Sequence, residues 1–186
     1  MDILDLILAR RTVHEYSSKP VPDRIVENAL LAAIHAPNHK LTWPWRFFTA
    51  GPKTRLALAQ IQVEMKSKKS PEPLSPKVRD GMTDKFMKPS HLLVLAIKKS
   101  ASAEQQKEDY AALACAVQNM SLYLAAEGVG SKWSTGPATR AEKTYEILGV
   151  NPQELELCGW FWIGYAEGEP RKPERPSLDG FVQKLL

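Results

Sequence analysis

The 186-residue sequence contains only two cysteines, Cys115 and Cys158, and they lie far apart in apolar surroundings. Neither belongs to a CxxC pair, which excludes a thioredoxin-like motif and the usual thiolate metal site. Their setting predicts two buried, reduced thiols, as is typical of a cytoplasmic protein. No apolar run approaches the roughly 18 residues that a membrane span requires. The first residues also lack the apolar core and cleavage site of a signal peptide. We therefore expect a cytoplasmic protein with no membrane partner.

Charge of one sign is not concentrated anywhere along the chain. The 25 lysines and arginines exceed the 21 acidic residues by four, and 44% of the residues are hydrophobic. The two densest basic groups fall within residues 66–69 and 171–175, and they do not form a single stripe. This distribution favours a phosphorylated small molecule over a nucleic acid, so no nucleic-acid partner is expected.

The signature motifs of several enzyme classes are missing. The sequence contains no HExxH, no GxSxG and no Walker loop, which argues against zinc proteases, α/β-hydrolases and P-loop enzymes. The glycine-rich stretch 128–136 does not match GxGxxG because Trp133 occupies the third position. A Rossmann nicotinamide-binding fold is therefore not supported. We expect no metal site and no catalytic side chain.

Alternating strand and helix patterns predict one domain of the α+β or α/β class over residues 1–186, with about four strands. The longest helical pattern, 108–127, is apolar almost all round, so most of its surface must be buried. In a chain of this size, a second copy is one way to cover it. Strands are predicted at 45–50, 92–97, 132–134 and 157–165, and helices at 3–10, 22–36, 55–65, 108–127 and 141–148.

Two segments differ in composition from the rest. Residues 66–90 are rich in lysine, serine and proline, which predicts a mobile excursion over the site with one helical turn near 78–82. Residues 168–186 form a polar, proline-rich tail that ends in apolar side chains. A tail with an apolar tip is expected to dock, and a partner subunit is the expected place.

The segment Arg10-Arg11-Thr12 follows the first predicted helix and suits a phosphate. Arginine offers paired, charge-assisted N–H donors, and threonine adds a hydroxyl. In an extended segment, Arg10, Thr12 and His14 face the same side. The alternative is that the two arginines merely stabilise the carboxyl end of the helix dipole, by about 0.3–1 kcal/mol.

A second polar cluster, Asn38-His39-Lys40, directly precedes an aromatic strand that begins Trp43-Pro44-Trp45. Imidazole or ammonium groups there, or on His14 and His35, would stabilise the negative charge of a reduced flavin. The alternative is an ordinary polar loop. A phosphate site at one end and a site for a planar ring at the other together describe flavin mononucleotide (FMN).

Two further segments belong to the same hypothesis. The glycines of the stretch 128–136 permit close backbone approach, and a backbone N–H aimed at the flavin N5 atom would steer hydride chemistry, although Gly128 alone suffices to end the preceding helix. Arg175, with neighbouring basic residues of the tail, would close over the phosphate. The alternative for the tail is a solvated basic segment.

The order and spacing of these pieces resemble those of the FMN-dependent nitroreductase family, in its short, single-domain type. The resemblance rests on Arg10-Arg11-Thr12, the run 32–37, Pro44-Trp45-Arg46-Phe47-Phe48, the helix end 124–131, the run 159–164 and an arginine near the end of the chain. It implies an α+β fold with a mixed central sheet of about four to five strands flanked by helices, built as an intertwined homodimer.

The resemblance also implies a cofactor site and a reaction. Two FMN molecules would sit between the subunits, and the flavin would carry the chemistry with NAD(P)H as co-substrate. Hydride would pass through FMN to a small-molecule oxidant, namely a nitro, quinone or conjugated acceptor, in two alternating steps. The residues implied in cofactor binding are Arg10, Arg11, Thr12, His14 and Arg175 from one subunit, His35 and His39 from the other, and Trp133, Ser134 and Thr135 along the ring.

The chain departs from the family pattern at two positions before the aromatic strand. Leu41 stands where the family commonly has asparagine, and Trp43 where it has glutamine. Two amide contacts to flavin or substrate are thus absent. An alternative function therefore stays open, in which the protein binds flavin as a carrier or sensor without nicotinamide turnover.

Overall fold

The computed structural model describes residues 2–185. Three helices begin at a polar cap: Asp2, Ser75 and Ser102 accept backbone N–H bonds in their first turns. The helices are α1 (Ile3–Ala9), α2 (Asp23–Ile34), α3 (Pro52–Lys69), α4 (Pro76–Met87), α5 (Ala103–Ala126) and α6 (Glu142–Leu148). The strands are β1 (Trp45–Thr49), β2 (His91–Lys98), β3 (Gly130–Ser134) and β4 (Leu155–Gly164).

The four strands form one antiparallel sheet in the order β1-β2-β4-β3. A parallel bridge between Thr12 and Ser131 adds a fifth, very short segment beside β3. The α+β class and the predicted four to five strands are thus confirmed. The run 92–97 of β2 is fully buried on both faces, as its continuous apolar sequence predicts.

Helices cover both faces of the sheet and create two hydrophobic clusters. On one face, α2 and α5 pack against Leu93, Leu95 and Phe161. On the other face, α3, α4 and α6 pack against Leu92 and Val94. None of the helices within residues 2–185 has both the length and the apolar character needed to cross a membrane.

A β-bulge interrupts the pairing of β2 with β4. Leu95 lies opposite Gly159 while the next residue, Ala96, lies opposite Leu157, so one residue of β4 has no partner. Beyond the bulge, Trp160 and Trp162 belong to the cluster beneath α3 and α4, together with Leu157. A side chain at Gly159 would collide with the indole of Trp133, because an added Cβ would lie 2.3 Å from its Nε1 atom.

Helix α4 replaces most of the predicted excursion. The sequence predicts a single turn near 78–82, whereas the structure has a twelve-residue helix that begins at the Ser75 cap. Its far end is held by Arg55, which is only 7% exposed. The guanidinium donates to the carbonyl oxygens of Phe86 (2.7 Å), Met87 (2.9 Å) and Ser90 (3.2 Å), and also to that of Pro89. The mobility expected for 66–90 stays a prediction.

The prediction of two buried thiols is wrong for Cys115. Cys158 is buried in the sheet, but Cys115 is exposed on the protomer. It lies on the face of α5 that also carries the exposed Ala111 and Gln118. Part of the largely apolar surface of α5 is therefore exposed in the single protomer.

Candidate functional site

Two cavities flank the segment that follows α1. The first, here called the indole cavity, has a volume of about 390 Å³. The second, the arginine cavity, has a volume of about 380 Å³. The indole cavity is defined by His14, Gln62, Lys85, Ser134, Trp160 and Trp162. The arginine cavity is defined by Arg10, Arg11, Gly128, Gly130, Glu169 and Lys172.

Residues 10–14 connect the two cavities. The segment lies beside β3, because Val13 N donates to Ser131 O at 3.1 Å. This close approach requires Gly130, where an added Cβ would lie 2.4 Å from Val13 Cγ2. At about 3.3 Å per extended residue, Arg10 and His14 are separated by up to about 13 Å of chain. One short segment thus places Arg10 in the arginine cavity and His14 in the indole cavity.

The two arginines play different parts in the arginine cavity. Arg11 Nη1 donates to the carbonyl oxygens of Leu8 and Arg10, so the helix-end interpretation is correct for this side chain. The Arg10 side chain has no hydrogen-bond partner within residues 2–185, and the buried Nε atoms of both arginines lack an acceptor. Lys172 also lines the cavity, opposed by one carboxylate, Glu169. Free, partly buried guanidinium donors are what an oxyanion requires.

Aromatic rings form the floor of the indole cavity. Phe86 packs edge to face against Trp160 and Trp162, with ring centroids 4.9 Å apart in both pairs. Trp162 Nε1 donates to Ser134 Oγ at 2.7 Å. The Nε1 atom of Trp160 is buried and has no partner. An apolar aromatic floor beside polar groups at the end of β3 suits a planar heterocycle.

Burial shifts the protonation of two groups at this cavity. Tyr16 is buried with an unpartnered hydroxyl, and this burial raises the pKa of the phenol above its ordinary value. The phenol therefore stays neutral over the physiological range. Partial burial lowers the pKa of Lys132, and the neighbouring ammonium group of Lys85 lowers that pKa further.

The two other candidate histidines lie elsewhere on the protomer. His35 is exposed, with its Nδ1 atom 2.8 Å from Leu31 O. His39 lines a separate cavity of about 470 Å³ together with Glu108 and Cys115. One protomer therefore does not bring His35 or His39 to His14. Their approach from a partner subunit stays a prediction.

The loop that carries His39 has a strained but well-anchored backbone. Lys40, Leu41 and Trp43 all adopt positive φ angles of 46–54°, which non-glycine residues rarely do. Side chains hold this shape: Asn38 Oδ1 accepts from Trp43 N at 2.8 Å, and Thr42 Oγ1 donates to Asp109 Oδ1 at 2.6 Å. The 3%-exposed carboxylate of α5 thus fixes a loop that presents Trp43 outward.

The remaining predicted site residues do not all reach the indole cavity, because neighbouring residues of β3 point to opposite faces of the sheet. Ser134 and Thr135 line the indole cavity. The Trp133 ring points to the other face of β3, where its Nε1 donates to Cys158 O at 3.3 Å. Thr12 is exposed between the two cavities, and Arg175 is exposed in the tail. Contact of Thr12, Trp133 and Arg175 with a cofactor stays a prediction.

Comparison with known proteins agrees with this arrangement. The sequence model of the Nitroreductase family matches residues 7–165. The chain belongs to the nitroreductase family. A relative within the family is YfhC of Bacillus subtilis strain 168, provisionally named an NAD(P)H nitroreductase, which is 26% identical over 181 residues. The match covers 96% of this chain and 92% of YfhC.

Solved structures show that the nitroreductase fold extends over the whole chain. The nitroreductase-like family protein of Bacillus cereus superposes with a TM-score of 0.86 at 24% identity, covering 100% of this chain and 96% of that one. A Desulfovibrio desulfuricans protein, provisionally named a nitroreductase and crystallised with FMN, gives a TM-score of 0.78 at 20% identity, covering 100% and 98% of the two chains.

Several residues that line the cavities were not among those predicted from the sequence. The tryptophans of the floor, Trp160 and Trp162, alternate along β4 and carried a usable signal, since every second residue of a strand shares a face. Gln62 and Lys85 carried none that points to a site. They reach the cavity because α3 and α4 pack side by side over the sheet, a tertiary arrangement that local patterns do not encode.

Proposed function

We propose that this chain is an FMN-dependent oxidoreductase that uses NAD(P)H to reduce a small nitro, quinone or conjugated acceptor. The observation that carries the proposal is the segment 10–14, which joins a cavity with free guanidinium donors to a cavity with an indole floor. FMN has a phosphate at one end and a planar ring at the other. The names of YfhC and of the FMN-bound D. desulfuricans protein support the same assignment.

The arginine cavity fits the phosphate end of this cofactor. Arg10 would donate to phosphate oxygens with a guanidinium that no protein acceptor occupies. Arg11 would contribute its remaining N–H groups, and the Thr12 hydroxyl would bond the phosphate or the ribityl chain. Arg175 would reach the same phosphate from the tail, which requires the tail to close over the cavity.

The indole cavity fits the ring end. When bound there, FMN would supply reversible two-electron chemistry, accepting hydride from a reduced nicotinamide and passing it to the acceptor. Trp160 and Trp162 would exclude water beneath the ring, while Ser134 and Thr135 would orient its edge. His14 would stand beside the pyrimidine end. Tyr16 remains a neutral phenol in this setting and is not assigned a proton-transfer role.

We further propose that the functional unit is a homodimer. Helix α1 contributes no buried residue in the protomer, and its Ile3 and Leu8 are 70% and 63% exposed. The outer face of α5 and the apolar tip of the tail are also exposed. A second copy would cover these surfaces. It would also bring the loop 38–43, here called the anchored loop, with its His39 toward the partner's indole cavity.

Light scattering coupled to size exclusion tests the dimer. We expect a particle of twice the 20.8 kDa chain mass, and we expect Leu8→Glu to dissociate it because a carboxylate would be buried in an apolar interface. Leu56→Glu is the matched control, since Leu56 is exposed on α3, across the sheet from α5. A monomeric wild-type protein at micromolar concentration would contradict the proposal.

Anaerobic reduction tests the reaction itself. The purified protein is expected to show the yellow flavin bands, and NADPH or NADH is expected to bleach them without oxygen. Subsequent addition of a quinone or nitroaromatic should restore the colour. Colour without bleaching supports the alternative carrier or sensor function. A colourless protein that FMN fails to reconstitute contradicts both functions.

The acceptor and the cellular location complete the proposal. Leu41 and Trp43 place bulky apolar side chains at the exposed surface of the anchored loop, which would select planar, uncharged acceptors in the partner's cavity. We place the protein in the cytoplasm, where reduced nicotinamide is available and where two free cysteines remain reduced.

A further inference from the structure

Lysines from three separate elements converge on the mouth of the indole cavity. Lys66 and Lys69 end α3, Lys85 lies on α4 and Lys132 lies on β3. Glu15 is the one carboxylate among the side chains lining this cavity. The four lysines thus leave a clear excess of positive charge at an opening whose floor is apolar.

Two lysines elsewhere in the molecule have carboxylate partners, and the four at this cavity have none within residues 2–185. Lys88 pairs with Glu167, and Lys143 pairs with Glu64 at 3.0 Å. Among the residues that the structure describes, none of the four cavity lysines makes an ion pair within 4 Å. Lys132 is only partly exposed and feels the ammonium group of Lys85. Two close, unpaired cations on rigid elements form a ready site for a dianion.

The charges of neighbouring elements do not remove this excess. Glu15 acts favourably on Lys132, and Asp84 lies in the adjoining cavity of about 230 Å³ together with Lys85 and Lys88. His14 borders both cavities. The phosphate of the proposed flavin has its own donors in the arginine cavity, so the lysines remain available for another anion.

We propose that Lys85 and Lys132, with Lys69 at the rim, bind the ribose 2′-phosphate of NADPH and make this nucleotide the preferred reductant over NADH. The inference rests on the proposed reductase function. The pyrophosphate is common to both nucleotides, whereas the 2′-phosphate is present only in NADPH. An uncharged nitro or quinone acceptor brings no anion to these ammonium groups. A reduced flavin ring brings a single negative charge, beside which His14 already stands, so the remaining positive charge is available to the 2′-phosphate.

Binding of nucleotide fragments tests the inference without turnover. Isothermal titration of the flavin-loaded protein compares adenosine 2′,5′-bisphosphate with AMP. We expect the bisphosphate to bind at least about tenfold more tightly, and the double variant Lys85→Met/Lys132→Met to remove about tenfold of this preference. AMP affinity should stay nearly constant. Methionine keeps the length of the aliphatic stem, so a loss reports the charge.

Steady-state kinetics gives the second readout. The NADPH-to-NADH ratio of kcat/KM should fall about tenfold in the double variant, while kcat/KM for NADH changes less than about threefold. Lys143→Met is the matched control, because its ammonium group is exposed and paired with Glu64 outside the cavity. We expect this control to leave both the titration and the ratio unchanged.

Three results would overturn the inference. Equal affinity for the bisphosphate and AMP would show that no 2′-phosphate site exists. The same loss in Lys143→Met would show a general effect of net charge. Release of FMN from the double variant would assign the lysines to the flavin phosphate instead. A protein that binds FMN and selects the bisphosphate, but is reduced by neither nucleotide, would contradict the proposed function while supporting the binding site.

Discussion

Arg10→Ala is expected to weaken FMN binding by about 30- to 100-fold, the effect of losing charge-assisted hydrogen bonds to a phosphate. The reason is that Arg10 has no hydrogen-bond partner within residues 2–185 and lines the arginine cavity. Its donors are therefore free for a ligand, and the substitution breaks no hydrogen bond to the described part of the protein. Titration of the apoprotein with FMN, followed by quenching of flavin fluorescence, measures the affinity.

Two further variants make this prediction specific. Arg11→Ala should cost less, about tenfold, because Arg11 already donates to the carbonyl oxygens of Leu8 and Arg10. Arg24→Ala removes an exposed arginine from the first turn of α2 and should change nothing. If Arg10→Ala retains FMN as well as Arg24→Ala does, the phosphate assignment is wrong.

Arg55→Met is expected to cause the largest loss of stability of any single change considered. It leaves four carbonyl oxygens at the end of α4 and the start of β2 without their donor, in a place where water has little access. The free energy of unfolding should fall by about 3–5 kcal/mol. For a chain of this length the melting temperature should fall by about 10 °C. Thermal and urea unfolding, followed by circular dichroism, measure both quantities.

Two controls separate the loss of the four Arg55 hydrogen bonds, here called the Arg55 clamp, from the loss of a positive charge. Arg79→Met removes an exposed arginine of α4 whose Nε donates only to Leu74 O, at 3.1 Å, and should change stability by less than about 0.5 kcal/mol. Arg55→Lys retains one cationic donor and should lie between the two. A stability of Arg55→Met equal to that of Arg79→Met would show that the clamp contributes little to the native state.

Local signals account for the fold class and most element positions. The uninterrupted apolar run of β2 predicts a strand buried on both faces, and β2 lies inside the sheet. Helix α4 was harder to find, because its sequence is polar and only Phe86 is buried. Its helical form depends on the Ser75 cap and on the Arg55 clamp. Arg55 lies more than 20 positions before the helix begins, so no local pattern records that contact.

The candidate site was predictable where chemistry is concentrated in short segments. Arg10, His14 and Ser134, all named from the sequence, line the two cavities, and their contact with a cofactor stays a prediction. The division of residues 10–14 between two cavities was not predictable, because it depends on how the segment runs beside β3. Lys85 and Gln62 reach the site through the packing of α3 and α4 over the sheet. Trp133 was predicted from the sequence but does not line the indole cavity, because neighbouring residues of β3 point to opposite faces of the sheet.

The unpaired residue of β4 has a consequence for how this protein tolerates change. The bulge absorbs this extra residue, because Trp160 lies opposite Val94 and Leu157 opposite Ala96, and all four belong to one cluster. Were residues 157–160 to alternate regularly, Leu157 and Trp160 would fall on opposite faces of the sheet. Deleting the unpaired residue would therefore leave the aromatic floor in place, whereas one further inserted residue that the sheet did not absorb would turn the two tryptophans toward α5.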